Sequence, residues 1–354
     1  MKRSHLLSVL TGAAAVTAAA IRLRDQGRQR RRQRGCEDRI VLVTGGSRGL
    51  GFAIAERFAR EGNRLVLTAR KVHELYEARN ILLQHGAITS PEDALLIPAD
   101  LTDKAQAAAL IEHAIQHFGR IDVLINNAGI MEVGPVENQP LEAYERAMST
   151  NFFAALYVTQ AALPHMLHRD PARPAAIVNI CSVGGKIAVP HMLPYTASKF
   201  ALVGFSEGLH AELRQKGIRV TTVCPGLMRT GGHQHAKFVG NEKKEQRWFD
   251  IAATTPVLAA SVKRAANQIY SAVRQGRAEI IITPQAWLAA RAAAVAPESV
   301  QCLTSLINEF VLPAPVNSGS QRLPERHDEL SGERNRETGA PWNPAPIRTH
   351  PSSA

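Results

Sequence analysis

From Arg39 onward, short runs rich in β-branched residues alternate with longer amphipathic stretches, and this alternation constrains the fold more than any other feature of the chain. It is the pattern of βαβ units, in which parallel strands are joined by crossover helices. Strands are expected at Ile40–Thr44, Arg64–Thr68, Ala94–Ala99, Val123–Asn126, Ala176–Cys181, Arg219–Val223 and Glu279–Ile282. The run Asp122-Val-Leu-Ile-Asn126 is almost wholly apolar, as a strand covered on both faces requires. Right-handed crossovers then give an α/β fold: a single Rossmann-type, doubly wound parallel sheet with helices on both faces.

Thr44-Gly45-Gly46-Ser47-Arg48-Gly49-Leu50-Gly51 lies between the first strand and an apolar helix containing Phe52, Ile54, Ala55 and Phe58. Glycines there permit a tight turn and bring backbone N–H groups close to a pyrophosphate at the positive end of a helix. The second strand runs into Arg70, where a carboxylate would otherwise accept bonds from a ribose 2′-hydroxyl. A guanidinium pairs with a 2′-phosphate, and Arg48 supplies a second cation, so NADP(H) is expected rather than NAD(H).

Ser182 is followed by Tyr195-Thr-Ala-Ser-Lys199. Four residues along a helix place Tyr195 and Lys199 on one face, where an ammonium can stabilise a phenolate and make the phenol a usable acid or base. With Ser182 to hold a carbonyl oxygen and Tyr195 to deliver its proton, these groups suit hydride transfer between a nicotinamide and a carbonyl or secondary alcohol.

From about Arg39 to Ile282 the chain resembles the short-chain dehydrogenase/reductase family of the compact Tyr-x-x-x-Lys type. The glycine turn fits that family's TG-x-x-x-G-x-G, and Asp100-Leu101 resembles its adenine-contacting position. Asn126-Asn127-Ala128-Gly129 fits its N-N-A-G element, and Pro225-Gly226-Leu-Met-Arg-Thr230 fits P-G-x-x-x-T beside the nicotinamide. The resemblance implies that Asn151 joins the lysine through water, that Tyr195 and Lys199 also contact the cofactor, and that the protein is a homo-oligomer. The extended branch of the family is disfavoured by the glycine spacing and the small space for a substrate domain. A protein that binds NADP(H) as a sensor without turnover is the alternative, but serine, tyrosine and lysine are all in place.

Val183, His191, Met192 and Leu193 before the tyrosine, with Leu227, Met228, Phe238, Trp248 and Phe249 after the sixth strand, point to an apolar ketone or aldehyde as substrate. The segment 226–255 lacks clean periodicity and is expected to form a lid. The thiols of Cys36, Cys181, Cys224 and Cys302 form no C-x-x-C pair, and no zinc-type spacing occurs, so neither a metal site nor a disulfide framework is expected.

The formal charge of +11 is concentrated at the N-terminus: residues 1–35 carry nine Lys or Arg against Asp25, which is +8. This arm has no interleaved aromatics, and a nucleic-acid partner is not expected. Within it Leu6 to Ile21 is uncharged, roughly 24 Å long as a helix and so shorter than a hydrocarbon core of roughly 30 Å. Three readings stand: an uncleaved membrane-associating arm, a disordered arm, or a cleaved export signal. Export would separate the enzyme from cellular NADPH, and the larger Arg22 to Arg34 block favours a cytoplasmic catalytic domain attached to the inner face of a membrane. The expected organisation is this arm at 1–35, a catalytic domain at 36–284, a helical extension at 285–312 and a disordered tail at 313–354.

Overall fold

A computed structural model describes residues 38–168, 173–229, 236–254 and 260–316. Its main sheet holds β1 (Ile40–Thr44), β2 (Arg64–Ala69), β3 (Ala94–Pro98), β4 (Val123–Asn126), β5 (Ala175–Ile180), β6 (Ile218–Pro225) and β7 (Glu279–Ile282). Every pairing is parallel, in the order β7-β6-β5-β4-β1-β2-β3. The expected doubly wound sheet is therefore present. β6 runs two residues beyond its expected end because Pro225, which lacks an N–H, still pairs with Ile282 at the strand terminus.

The helices are α1 (Gly49–Ala59), α2 (Val72–Gln84), α3 (Lys104–Phe118), α4 (Leu141–Met148), α5 (Ala154–Leu167), α6 (Leu193–Leu213), α7 (Glu242–Thr254), α8 (Val262–Gln275), α9 (Pro284–Val295) and α10 (Pro297–Phe310). The period-two alternation of β1 sorts its side chains between two cores. Val41 and Val43 pack with Ile54, Phe58 and Ile269, while Ile40 and Leu42 pack with Leu110, Ile111, Val158 and Met166. Each such side chain contributes about 1.5–3 kcal/mol on burial.

A polar seam crosses the second layer. Asn126 Nδ2 donates to Thr159 Oγ1 and Asn179 Oδ1, each at 2.9 Å, and Asn179 Nδ2 donates to Ser206 Oγ at 2.9 Å. Thr222 Oγ1 donates to the same Ser206 oxygen at 2.7 Å. These bonds register β4, β5, β6 and α6 against one another, because a buried donor left without an acceptor is costly.

The chain leaves β1 and β4 toward opposite sides of the sheet, opening a crevice at their carboxyl ends. Two-residue strands border it: Glu132–Val133 pairs with Lys237–Phe238, and Met228–Arg229 with Ala260–Ser261. The expected lid thus carries α7 between short strand contacts. The C-terminal extension is two helices, divided where Ala296, the residue before Pro297, leaves the helical region (φ −133°, ψ 65°). Among the described residues no helix is long and apolar enough to cross a membrane. Leu6 to Ile21 and residues 317–354 lie outside the described residues.

Candidate active site

The glycine turn follows directly from β1. Gly45 and Gly49 have φ of +62° and +58°, in the left-handed region. A Cβ on Gly51 would lie 2.2 Å from Gly45 O, so the turn closes only around glycine. α1 then starts at Gly49 with no side-chain cap, leaving its first N–H groups and positive dipole end directed at the crevice. This cradle fits a pyrophosphate. Leu50 is buried against the core, and Thr44 braces the turn from below: its Oγ1 accepts from the N–H groups of Asn127 (2.8 Å) and Ala128 (3.0 Å). Asn127 Nδ2 donates to Thr44 O and Gly45 O at 3.0 and 3.2 Å, tying the two halves of the switch point.

Arg70 is exposed immediately after β2. Arg48 reaches Glu74 at 3.7 Å, Lys71 reaches it at 3.4 Å, and Ser47 Oγ donates to it at 3.2 Å. Partial burial opposes ionisation of Glu74, but Arg48, Ser47 and Lys71 together hold its carboxyl below the ordinary value. Asp100, after β3, accepts from the Thr102 hydroxyl at 2.8 Å, and Leu101 is buried beside it. Glu74 was not singled out from sequence; its signal is an acidic residue in the first turn of the helix following Arg70.

On the other side of the crevice, Ser182 follows β5 and its Oγ accepts from Gly184 N at 3.0 Å. A Cβ on Gly184 would lie 3.4 Å from Ser182 Oγ and 3.3 Å from Tyr195 Cε1, so the serine hydroxyl and the tyrosine ring flank the same glycine. Tyr195 and Lys199 sit one turn apart near the start of α6, with Lys199 Nζ 5.8 Å from the tyrosine ring centroid and donating to Ile180 O at 2.8 Å. Burial pushes the Tyr195 phenol up to about 12, with the nearby Ser182 hydroxyl acting in the opposite direction. Burial likewise lowers the Lys199 ammonium below its ordinary value. Desolvation, rather than Lys199, dominates the phenol in this geometry.

A π turn at Ser149–Phe153 between α4 and α5 carries Asn151 inward, fully buried. Its Oδ1 accepts from Ile130 N at 2.7 Å and its Nδ2 donates to Ser198 Oγ at 2.8 Å, while Ser198 Oγ donates to Tyr195 O at 2.7 Å. A Cβ on Gly129 would lie 3.0 Å from Asn151 Oδ1 and 3.6 Å from Lys199 Nζ, so Asn127-Ala128-Gly129 meets both parts of the site. Gly226 N, after Pro225, donates to Ile282 O at 3.0 Å. Thr230 lies outside the described residues.

The structure adds a buried group beside Tyr195 that sequence spacing did not reveal. His191 Nδ1 meets both carboxylate oxygens of Glu245 at 3.0 Å, and Trp248 Nε1 donates to Glu245 Oε2 at 2.7 Å. Next to them Val133, Met192 and Phe249 form an apolar cluster against which Tyr195, Phe238 and Trp248 pack. Among the described residues no group of three or more His, Cys, Asp or Glu is placed to hold a metal ion.

The doubly wound sheet, glycine cradle and Ser-Tyr-Lys group define a dinucleotide-dependent oxidoreductase. The short chain dehydrogenase family model matches residues 39–237, and the chain belongs to the short-chain dehydrogenase/reductase family. It is 35% identical over 225 residues to a dehydrogenase/reductase SDR family protein 7-like of Anopheles gambiae, covering 64% of this chain and 70% of that protein. It is 33% identical over 246 residues to the ketoacyl reductase HetN of a Nostoc strain, covering 69% and 78%. Among solved structures, a short-chain dehydrogenase/reductase from Burkholderia phymatum in complex with NAD aligns with a TM-score of 0.68 at 24% identity, covering 75% of this chain and 96% of the other.

Proposed function

We propose that this protein is an NADP(H)-dependent reductase of an apolar ketone or aldehyde. The observation that carries the reading is the gathering of Ser182 and Tyr195 about Gly184, with Lys199 one helical turn along, beside Gly129 and Asn151. The nicotinamide, when bound, supplies hydride to the carbonyl carbon. Ser182 holds the carbonyl oxygen, and Tyr195 gives its phenolic proton to the developing alkoxide. A phenol kept neutral by burial is charged with the proton this step needs. Lys199 binds the nicotinamide ribose and lies on the side from which the phenol regains its proton, with Asn151 behind it.

The glycine turn and the free start of α1 are assigned to the pyrophosphate, Asp100 and Leu101 to the adenine, and Pro225, Gly226 and Thr230 to the nicotinamide side. Arg70 and Arg48 support a 2′-phosphate. The Burkholderia protein carries NAD, but its 24% identity transfers the fold and not the cofactor preference. The apolar cluster around Val133, Met192 and Phe249 supports an apolar substrate, and the ketoacyl reductase name of the Nostoc relative is consistent with carbonyl reduction. Residues 1–35 are assigned to holding the catalytic domain (36–284) at the cytoplasmic face of a membrane.

The test is NADPH oxidation by the purified full-length chain against a panel of apolar ketones and aldehydes, with NADH and Tyr195→Phe as controls. Tyrosine-dependent turnover with NADPH preferred is expected. Tight NADPH binding without turnover on any carbonyl would favour the sensor alternative, and turnover restricted to small polar sugars would remove the apolar substrate.

A further inference from the structure

We infer that Glu245 is a positioning residue of the substrate cleft: its buried carboxylate ties α7 to the loop that leads into Tyr195, through His191 and Trp248. This rests on the carbonyl-reductase reading of the Ser182–Tyr195 pair. Glu245 lies in the first turn of α7 at 0% exposure, and the His191 side chain is 4% exposed. A carboxylate is removed from water in this way only where donors replace the lost hydration. Here two side chains supply them, the His191 Nδ1–H and the Trp248 Nε1–H. The carboxylate is the acceptor in both bonds, which assigns the His191 hydrogen to Nδ1.

The backbone at His191 shows what the tie holds. Its φ is +61°, a left-handed conformation that a residue with a Cβ rarely takes without compensation. In that conformation the His191 carbonyl accepts from Gly134 N at 2.7 Å, and two residues later α6 begins, with Tyr195 in its first turn. Glu245 therefore fixes three segments at once: the approach to Tyr195, residue 134 through the His191 carbonyl, and α7.

A second attachment leaves little freedom for a different arrangement. Val239 N donates to Val133 O at 2.9 Å, and a Cβ on Gly134 would lie 2.5 Å from Val239 Cγ2. From α7, Phe249 joins Val133 and Met192 in the apolar cluster, and Trp248 packs against that cluster as Tyr195 does. The bonds that set the reacting groups, Gly184 N to Ser182 Oγ, Ser198 Oγ to Tyr195 O and Lys199 Nζ to Ile180 O, lie on β5, the turn after it and α6, and do not involve α7. Releasing Glu245 should loosen α7 and leave the proton donor in place.

The experiment compares full-length wild type with Glu245→Gln, His191→Gly and His191→Asn. Amide hydrogen exchange over residues 242–252 is measured without substrate, with NADPH Kd, KM and kcat for the best carbonyl of the panel. For Glu245→Gln we expect faster exchange in α7, KM raised about tenfold or more, and kcat and NADPH Kd within about threefold of wild type. His191→Gly should behave alike although glycine suits the left-handed backbone; His191→Asn, which tolerates that backbone and keeps an N–H donor, should recover much of the KM. An unchanged KM in Glu245→Gln or His191→Gly, or a loss confined to kcat, would overturn the inference. If Glu245→Gln does not fold, the two His191 variants decide it by the same readouts. If wild type reduces no carbonyl, the reductase reading fails by itself; wild-type exchange in both His191→Gly and Glu245→Gln would then overturn the tie, and faster exchange in both would support it.

Discussion

Lys199 Nζ lies 5.8 Å from the centroid of the Tyr195 ring and donates to Ile180 O at 2.8 Å, so the ammonium is held beside the phenol by a strand-end carbonyl. Burial raises the phenol to about 12. Alcohol oxidation needs the phenolate as base, and its fraction grows with pH until the pKa is reached. The kcat/KM for oxidation should therefore climb through the alkaline range with no plateau below about pH 10, whereas reduction, which needs the neutral phenol, should be insensitive to this group from about pH 6 to 9. Tyr195→Phe should lower both by about a hundredfold to ten-thousandfold. An oxidation plateau near neutrality would show that positive charge in the working complex outweighs burial.

Lys199 has the opposite balance, its folded pKa lying below the ordinary value because burial disfavours the ammonium. The unfolded chain then binds more protons at alkaline pH, so this group's contribution to stability rises with pH up to about 10.4 and is a cost at neutrality. Lys199→Met should abolish turnover while leaving the Tm at pH 7 equal or higher, measured by thermal unfolding without cofactor. A large fall in Tm would mean that the bond to Ile180 O outweighs the cost of burying the charge.

Glu74 draws on Arg48, Lys71 and Ser47, so it competes with any phosphate for those groups. Glu74→Gln should tighten NADPH binding by a few-fold and leave NADH unchanged, because exposed ion pairs are worth only about 0–1 kcal/mol. Arg70→Glu should weaken NADPH by about ten- to a hundredfold and narrow its advantage over NADH. Titration of cofactor fluorescence reads both. Wild type that prefers NADH would remove the role given to Arg70.

Much of this was legible because it is local. The ranges of β1, β4 and β7 follow from apolar runs bounded by turn residues, and the pairing of Tyr195 with Lys199 follows from helical spacing. The Glu245–His191 bond is not local: 54 residues separate the partners, and the segment carrying Glu245 is brought back by strands only two residues long, which carry no periodicity. Within the charged run Glu242-Lys-Lys-Glu245, only Glu245 is buried, a distinction composition cannot make. The raised phenol was also hidden, because the spacing places Lys199 near it but says nothing of the desolvation that dominates it.

Two glycine substitutions should differ in sign. Gly51→Ala would place its Cβ 2.2 Å from Gly45 O and 2.5 Å from Asn127 Nδ2, both parts of the cradle. It should destabilise by about 1–3 kcal/mol and abolish NADPH binding. Gly208→Ala, inside α6 with open space around it, should stabilise by about 0.5–1 kcal/mol. Chemical denaturation checks both, and a destabilising Gly208→Ala would indicate that a second copy covers this face of α6.

Ser198 joins the π turn to the proton donor, since its Oγ accepts from Asn151 Nδ2 and donates to Tyr195 O. Ser198→Ala leaves one buried Asn151 N–H without its acceptor, which should cost about 1–3 kcal/mol in denaturant unfolding. It also leaves Asn151 held by its two bonds to Ile130 alone, so the amide can shift against Gly129, on the side of the site where Lys199 Nζ lies. The loss of kcat should therefore exceed that expected from the unfolded fraction, with NADPH Kd little changed because the glycine cradle is untouched. Ser198→Thr, which keeps the hydroxyl, should retain more kcat than the alanine variant if the added methyl is accommodated. If Ser198→Ala keeps full kcat at a temperature where it is folded, the residue serves stability alone and Asn151 holds its place without it.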